Sequence, residues 1–134
     1  MLNDSVQNTH ILASKELVGR VNKLETGKYS ETRLITTDQM IVDDKELVHG
    51  GFTFSLADLA AMVAVNDPYV VLKAANVKFL KPVVCGDELT AKATVTKTEK
   101  ERRRVWCDVF NEKDEKVFEG EFICISLKKH ILER

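Results

Sequence analysis

Charge of either sign is not in excess in this sequence: 20 Lys and Arg stand against 21 Asp and Glu, a formal net charge of −1. With no global field, neither nucleic acid nor an anionic membrane surface is an expected partner. The one basic run, Arg102-Arg103-Arg104 beside Lys97 and Lys100, has Glu99 and Glu101 inside it and reads as a solvated hairpin tip. Cysteine is scarce as well. Cys85, Cys107 and Cys124 are an odd number without a C-x-x-C spacing, which suggests neither a disulfide framework nor a zinc site. Cys107 and Cys124 lie in apolar stretches and read as small buried hydrophobes. Long hydrophobic runs are missing: the longest, residues 52–65, is too short to span a bilayer and contains an acid. The first 15 residues have no positive n-region and no apolar h-region, so no secretory signal is read there and a reduced, cytoplasmic compartment is expected.

Internal repeats, low-complexity blocks and linkers between cores are absent too. A length of 134 residues suits one domain with a real core. Residues 1–16, mostly polar, are expected to form a frayed or short N-terminal arm, and residues 17–134 a single domain.

Within that domain, Leu17, Val18, Val21 and Leu24 have the spacing of a helical turn. After the turn signal Glu25-Thr26-Gly27, residues 28–37 carry Tyr29, Ile35 and three threonines and read as a strand. Residues 52–65 differ from everything around them. Only Thr53, Ser55 and Asp58 are polar there, and the length and alanine content favour a helix. A helix apolar nearly all round belongs in an interior rather than on a surface. Asn66-Asp67-Pro68 should end it, because proline turns the preceding residue away from helix. The remainder reads as sheet: strands over 69–80, 88–97, 105–110 and 116–127, with Leu89, Ala91, Ala93 and Val95 alternating with polar residues. Short connections make successive strands antiparallel. One buried helix held by a curled antiparallel sheet is an α+β arrangement.

Chemistry concentrates where this helix begins. Gly50 and Gly51 precede it, and a backbone without Cβ lets a ligand approach closely. The first N–H groups of a helix lack intrahelical partners and carry partial positive charge. A thioester carbonyl placed there would be polarised without a metal. Asp58, about two turns further in, is the only ionisable side chain of the segment. A buried carboxylate is costly, so Asp58 should face a cavity or have a dedicated partner.

The run His49-Gly50-Gly51 followed by Leu56-Ala57-Asp58 resembles the signature of hotdog-fold acyl-CoA thioesterases of the phenylacetic-acid-degradation type. Asn76-Val77-Lys78-Phe79-Leu80-Lys81-Pro82 and Gly86-Asp87-Glu88-Leu89 extend the likeness, which covers residues 17–127. The resemblance implies a hotdog fold, an antiparallel sheet wrapped around one long buried helix. It implies that Asp58 acts as nucleophile or general base, that the Gly51 N–H polarises the thioester, and that His49 lies near the carbonyl. Gly50, Asp43, Asp44 and Asn76 fall beside the ligand, no cofactor is required, and the site lies between two subunits of a homodimer or a dimer of dimers. Asp43 and Asp44 stand where that family often has Asn and Gly.

The stretch from Asn76 to Lys97 also resembles the effector domain of a malonyl-CoA-sensing repressor of fatty-acid synthesis, which binds acyl-CoA without hydrolysing it. Too few residues precede Leu17 for that repressor's DNA-binding domain. Asp44 and His49 share the D-x-x-x-x-H spacing of hotdog enoyl-CoA hydratases, a more distant alternative. Each candidate also has a plainer reading. Asp58 could be a structural carboxylate, and His49 could orient its loop through a backbone hydrogen bond. Ser55 and Thr53 are expected to bond back to helix carbonyls.

Overall fold

The computed structural model describes residues 5–133; the first four residues of the expected arm, and Arg134, lie outside it. Six strands form one antiparallel sheet: β1 (Arg20–Glu25), β2 (Tyr29–Ile35), β3 (Val70–Phe79), β4 (Glu88–Glu99), β5 (Arg102–Phe110) and β6 (Lys116–Ser126). Their spatial order is β1-β2-β4-β5-β6-β3, so β1 and β3 are the edges. One long helix, α1 (Gly50–Val65), leads from the β2 side of the sheet to β3.

Alternation along each strand decides which side chains meet α1. Leu89, Ala91 and Ala93 of β4, Val105, Cys107 and Val109 of β5, and Phe118, Phe122 and Cys124 of β6 are fully buried. With small residues on β4, the sheet approaches the helix closely enough for hydroxyls of β2 to reach its backbone. Ser30 Oγ donates to the Ala60 carbonyl at 2.5 Å, and Thr32 Oγ1 to the Leu56 carbonyl at 3.3 Å. Two inward polar side chains of β2 are thereby satisfied without water.

Of the expected helical turn over residues 17–24, Leu17 and Val18 do lie in a hydrogen-bonded turn, with Val18 N donating to Ser14 O at 2.9 Å, but from Arg20 on the chain is β1. Its register slips between Val21, opposite Thr32, and Leu24, opposite Ser30. Both of those partners face α1, so a bulge puts Val21 and Leu24 on one face at a spacing of three. That spacing imitates a helix. The Arg102-Arg103-Arg104 run is not a free tip either: Lys100 and Glu101 make the turn and the arginines open β5, all three half-buried. Arg104 pairs with Glu121 at 3.0 Å, and Arg103 donates to the carbonyls of Lys100 and Arg102.

The arm is docked rather than frayed over its described residues. Leu59, outside the main core cluster, is only 3% exposed. It lines a small cleft with Gln7, His10, Ile11 and Ala13. Asn66 makes the anchor. It ends α1 in the left-handed conformation, φ 60°, with its N–H bonded to Met62 O at 2.8 Å. The stop signal is therefore Asn66 itself, ahead of Pro68. Its side chain accepts from Asn8 N at 2.7 Å and donates to Val6 O and Thr26 Oγ1, both at 2.8 Å. Sheet on one side and arm on another explain how a helix without a polar face is buried. The architecture is the hotdog fold.

Candidate functional site

α1 starts two residues earlier than expected, so both glycines are helical, and His49 is the residue that caps the helix. The loop before it is tied down locally. Asp43 Oδ1 accepts the N–H groups of Lys45 and Leu47, at 3.0 and 3.2 Å, while His49 N donates to Met40 O at 2.9 Å. One Asp43 oxygen thus serves the turn that delivers His49. Asp44 is exposed on the same turn.

Each of the two glycines lies close against an aromatic ring. A Cβ on Gly50 would come within 3.2 Å of the Phe79 ring, and one on Gly51 within 2.9 Å of His49 Nδ1. The Gly51 N–H donates to that same Nδ1 at 2.8 Å. Beside this first turn lies a groove of about 320 Å³, lined among others by Leu47, Gly50, Thr53, Phe79 and Pro82. Phe79 is 57% exposed there. Its position at the end of an edge strand, beside a glycine with no side chain, was not legible from its residue type.

Asp58 sits two turns down α1. Its Oδ1 is buried with no hydrogen-bond partner among the described residues, and burial pushes the carboxyl from the ordinary 3.8 up to about 6. Its field reaches two buried thiols on the inner sheet face, Cys107 and Cys124, and raises both. Burial is the larger cause for each, which makes them poor nucleophiles. Phe54, one turn before Asp58, packs against Phe118 and Phe122 with ring centroids 6.4 and 5.5 Å away. Phe79 meets Phe118 at 5.2 Å. Four aromatic rings far apart in the sequence, Phe54, Phe79, Phe118 and Phe122, therefore pack into one cluster.

His49, Gly50 and Gly51 are brought together; Asp58 shares their helix. Asn76 is not with them. It pairs with Glu121, as does Trp106 of β5, and lines a shallow groove with Lys78, Trp106 and Glu119 on the sheet face turned away from α1. Val77 and Phe79, its neighbours at odd positions, face inward, so period two sends Asn76 outward. Among the described residues no cluster of His, Cys, Asp and Glu is suited to a metal ion, and no helix is long and apolar enough to cross a membrane.

Known proteins share this fold. A protein of Pyrococcus horikoshii, PH1136, superposes with a TM-score of 0.93 at 48% identity, covering 98% of this chain and 99% of that one. The PaaI protein of the E. coli phenylacetic-acid-degradation operon superposes with a TM-score of 0.80 at 26% identity, over 90% of this chain and 88% of that one. In sequence, 119 residues are 50% identical to part of a methylthioribose-1-phosphate isomerase of Aquifex aeolicus, covering 89% of this chain and 26% of that protein. Transcription factor FapR of a Thermoanaerobacter is 29% identical over 131 residues, 98% of this chain and 65% of FapR. The chain thus spans about a quarter of the isomerase and under two thirds of FapR. The family model for the thioesterase superfamily matches residues 45–118, from the loop before His49 through Phe118 of β6. On that match, with the fold and the helix-borne acid beside it, this chain belongs to the thioesterase superfamily.

Proposed function

We propose that this chain hydrolyses acyl-CoA thioesters, with Asp58 as general base. The observation that carries the reading is the buried Asp58 Oδ1, without a hydrogen-bond partner among the described residues, on a helix with no other ionisable side chain. An acid left without a partner at such a cost has a use for its free lone pair. Its pKa of about 6 suits a base that works near neutrality. The carboxylate takes a proton from water, the water oxygen attacks the thioester carbon, and the C–S bond breaks. The proton passes to the departing thiolate, giving a carboxylic acid and free coenzyme A.

Gly51 and Asp58 are seven residues apart on one helix, about 10 Å along its axis at 1.5 Å per residue. One carbonyl cannot touch both. A second copy resolves this, with the helix start of one chain facing Asp58 of the other. The edges support such pairing through β3. Both edges carry a bulge, but β1 is short and charged at Arg20, Lys23 and Glu25, whereas β3 has ten residues charged only at Lys73 and Lys78. Unprotected edges invite pairing.

The alignment with FapR favours a second reading, a non-catalytic protein that binds acyl-CoA and signals its state to a partner. A thiol-release assay across acyl-CoAs of several chain lengths separates the two. Hydrolysis lost in Asp58→Asn supports the enzyme. Calorimetric binding without thiol release from any of them supports the sensor.

A further inference from the structure

The sheet face turned away from α1 has a larger groove, of about 600 Å³ against about 320 Å³ for the one beside Gly50. Its lining includes Lys15, Glu16, Arg20, Arg33, Ile35 and Glu88. Thr32 of β2 points inward to bond α1, so Arg33 and Ile35 point outward. Arg20 of β1 stands directly opposite Arg33 in the register, and both are exposed. Two like charges facing each other across an antiparallel pair destabilise it. Each guanidinium has one acidic neighbour, Glu16 at 3.4 Å from Arg20 and Glu88 at 3.6 Å from Arg33. Such surface pairs contribute little. A guanidinium carries five N–H groups, so both arginines keep donors for a further acceptor. Lys15 adds a third cation, with no ion-pair partner among the described residues. Ile35, two residues from Arg33, is 61% exposed. The lining thus joins apolar surface to three cations and two acids, an excess of one positive charge.

We infer that this groove binds a small organic monoanion, a carboxylate with a hydrocarbon body, its carboxylate between Arg20 and Arg33 and its hydrocarbon over Ile35. The carboxylate offsets the repulsion between the two guanidiniums, whose planar forks match its two oxygens. One surplus positive charge suits a monoanion better than a phosphate dianion. The hydrocarbon removes Ile35 from water, which a bare anion does not. This groove lies across the sheet from α1 and Asp58, so the inference goes beyond the thioester reading and does not depend on it.

The test is amide-resolved NMR of the full chain, titrated with hexanoate, hexanol and inorganic phosphate. Hexanoate should shift the amides of residues 20–22 and 33–37 and saturate, whereas hexanol and phosphate should leave them nearly unmoved. Arg20→Gln and Arg33→Gln should each weaken hexanoate binding at least about tenfold, the usual effect of losing a charged hydrogen-bond donor. Ile35→Ser should weaken hexanoate and spare acetate. Lys92→Gln, on the same face but outside the groove, should change nothing. Without ligand, Arg33→Gln should melt no lower than wild type, because it removes a repulsion along with a weak pair. A clear fall in its melting temperature would make the arginines a structural ion-pair network and overturn the inference. Hexanoate shifts confined to residues around Gly50 and Asp58, phosphate bound as tightly as hexanoate, or arginine variants that bind hexanoate like wild type would overturn it as well.

Discussion

The backbone N–H of Asn8 donates to the side-chain oxygen of Asn66 at 2.7 Å, joining the N-terminal arm to the last turn of the buried helix. Asn66 is 1% exposed, and its amide also holds Val6 O and Thr26 Oγ1. Asn66→Ala would remove the bonds to Asn8 N, Val6 O and Thr26 Oγ1 and force a Cβ residue without a local hydrogen bond into the left-handed region. The expected loss is about 3 kcal/mol by urea denaturation, with faster hydrogen exchange in residues 5–19. Asn66→Gly relieves the backbone but does not restore the three bonds, so it should recover only part of the loss. An Ala variant as stable as wild type, with its arm still protected, would show that the anchor lies elsewhere.

Asp58 should weaken the fold at the pH where it works. Burial raises its pKa from 3.8 to about 6, so on raising the pH the unfolded chain gives up its proton first. Stability then falls between about pH 4 and pH 6 and carries a constant penalty above that. Asp58→Asn should therefore be more stable than wild type at pH 7.5, by about 3 kcal/mol, and equal to it at pH 3.5. Melting curves of both proteins at the two pH values check this. A variant less stable at pH 7.5 would mean that the carboxylate has a structural partner.

Pairing through β3 predicts which edge controls assembly. Ala74→Lys would set a charge against its own copy across an antiparallel contact and should convert a dimer to a monomer in light scattering. Asn22→Lys, on the β1 edge, should leave the dimer intact. A wild type that is monomeric at micromolar concentration, or a dimer broken by the β1 change alone, would remove β3 from the contact.

What could be read in the sequence follows the range over which each signal acts. The helix was plain because composition alone, fourteen residues with three polar ones among them, leaves no surface to expose. Asp58 was plain for the same reason, as the one acid in that run. β1 was hidden by a bulge that gave Val21 and Leu24 a helical spacing. The arm was hidden because its anchor, Asn66, lies 58 residues from Asn8, and nothing local marks that contact. At the site, the glycines suggested room for a ligand, and a groove does lie beside them, although the His49 and Phe79 rings crowd the space a Cβ would take. Asn76 belonged to a suggestive run, but strand alternation turns it to the opposite face.

The most direct test of the shared-site account mixes two inactive proteins. Asp58→Asn lacks the base and His49→Asn lacks the cap histidine, so each homodimer should release almost no thiol from acyl-CoA. If every site takes its acid from one chain and its helix start from the other, a mixed dimer contains one intact site and one doubly altered site. Dissociated and re-paired at equal amounts, half of the dimers are mixed, and the mixture should recover about a quarter of the wild-type rate. A mixture that stays as inactive as its components, beside an active wild type, would contradict the account and place the whole site within one chain.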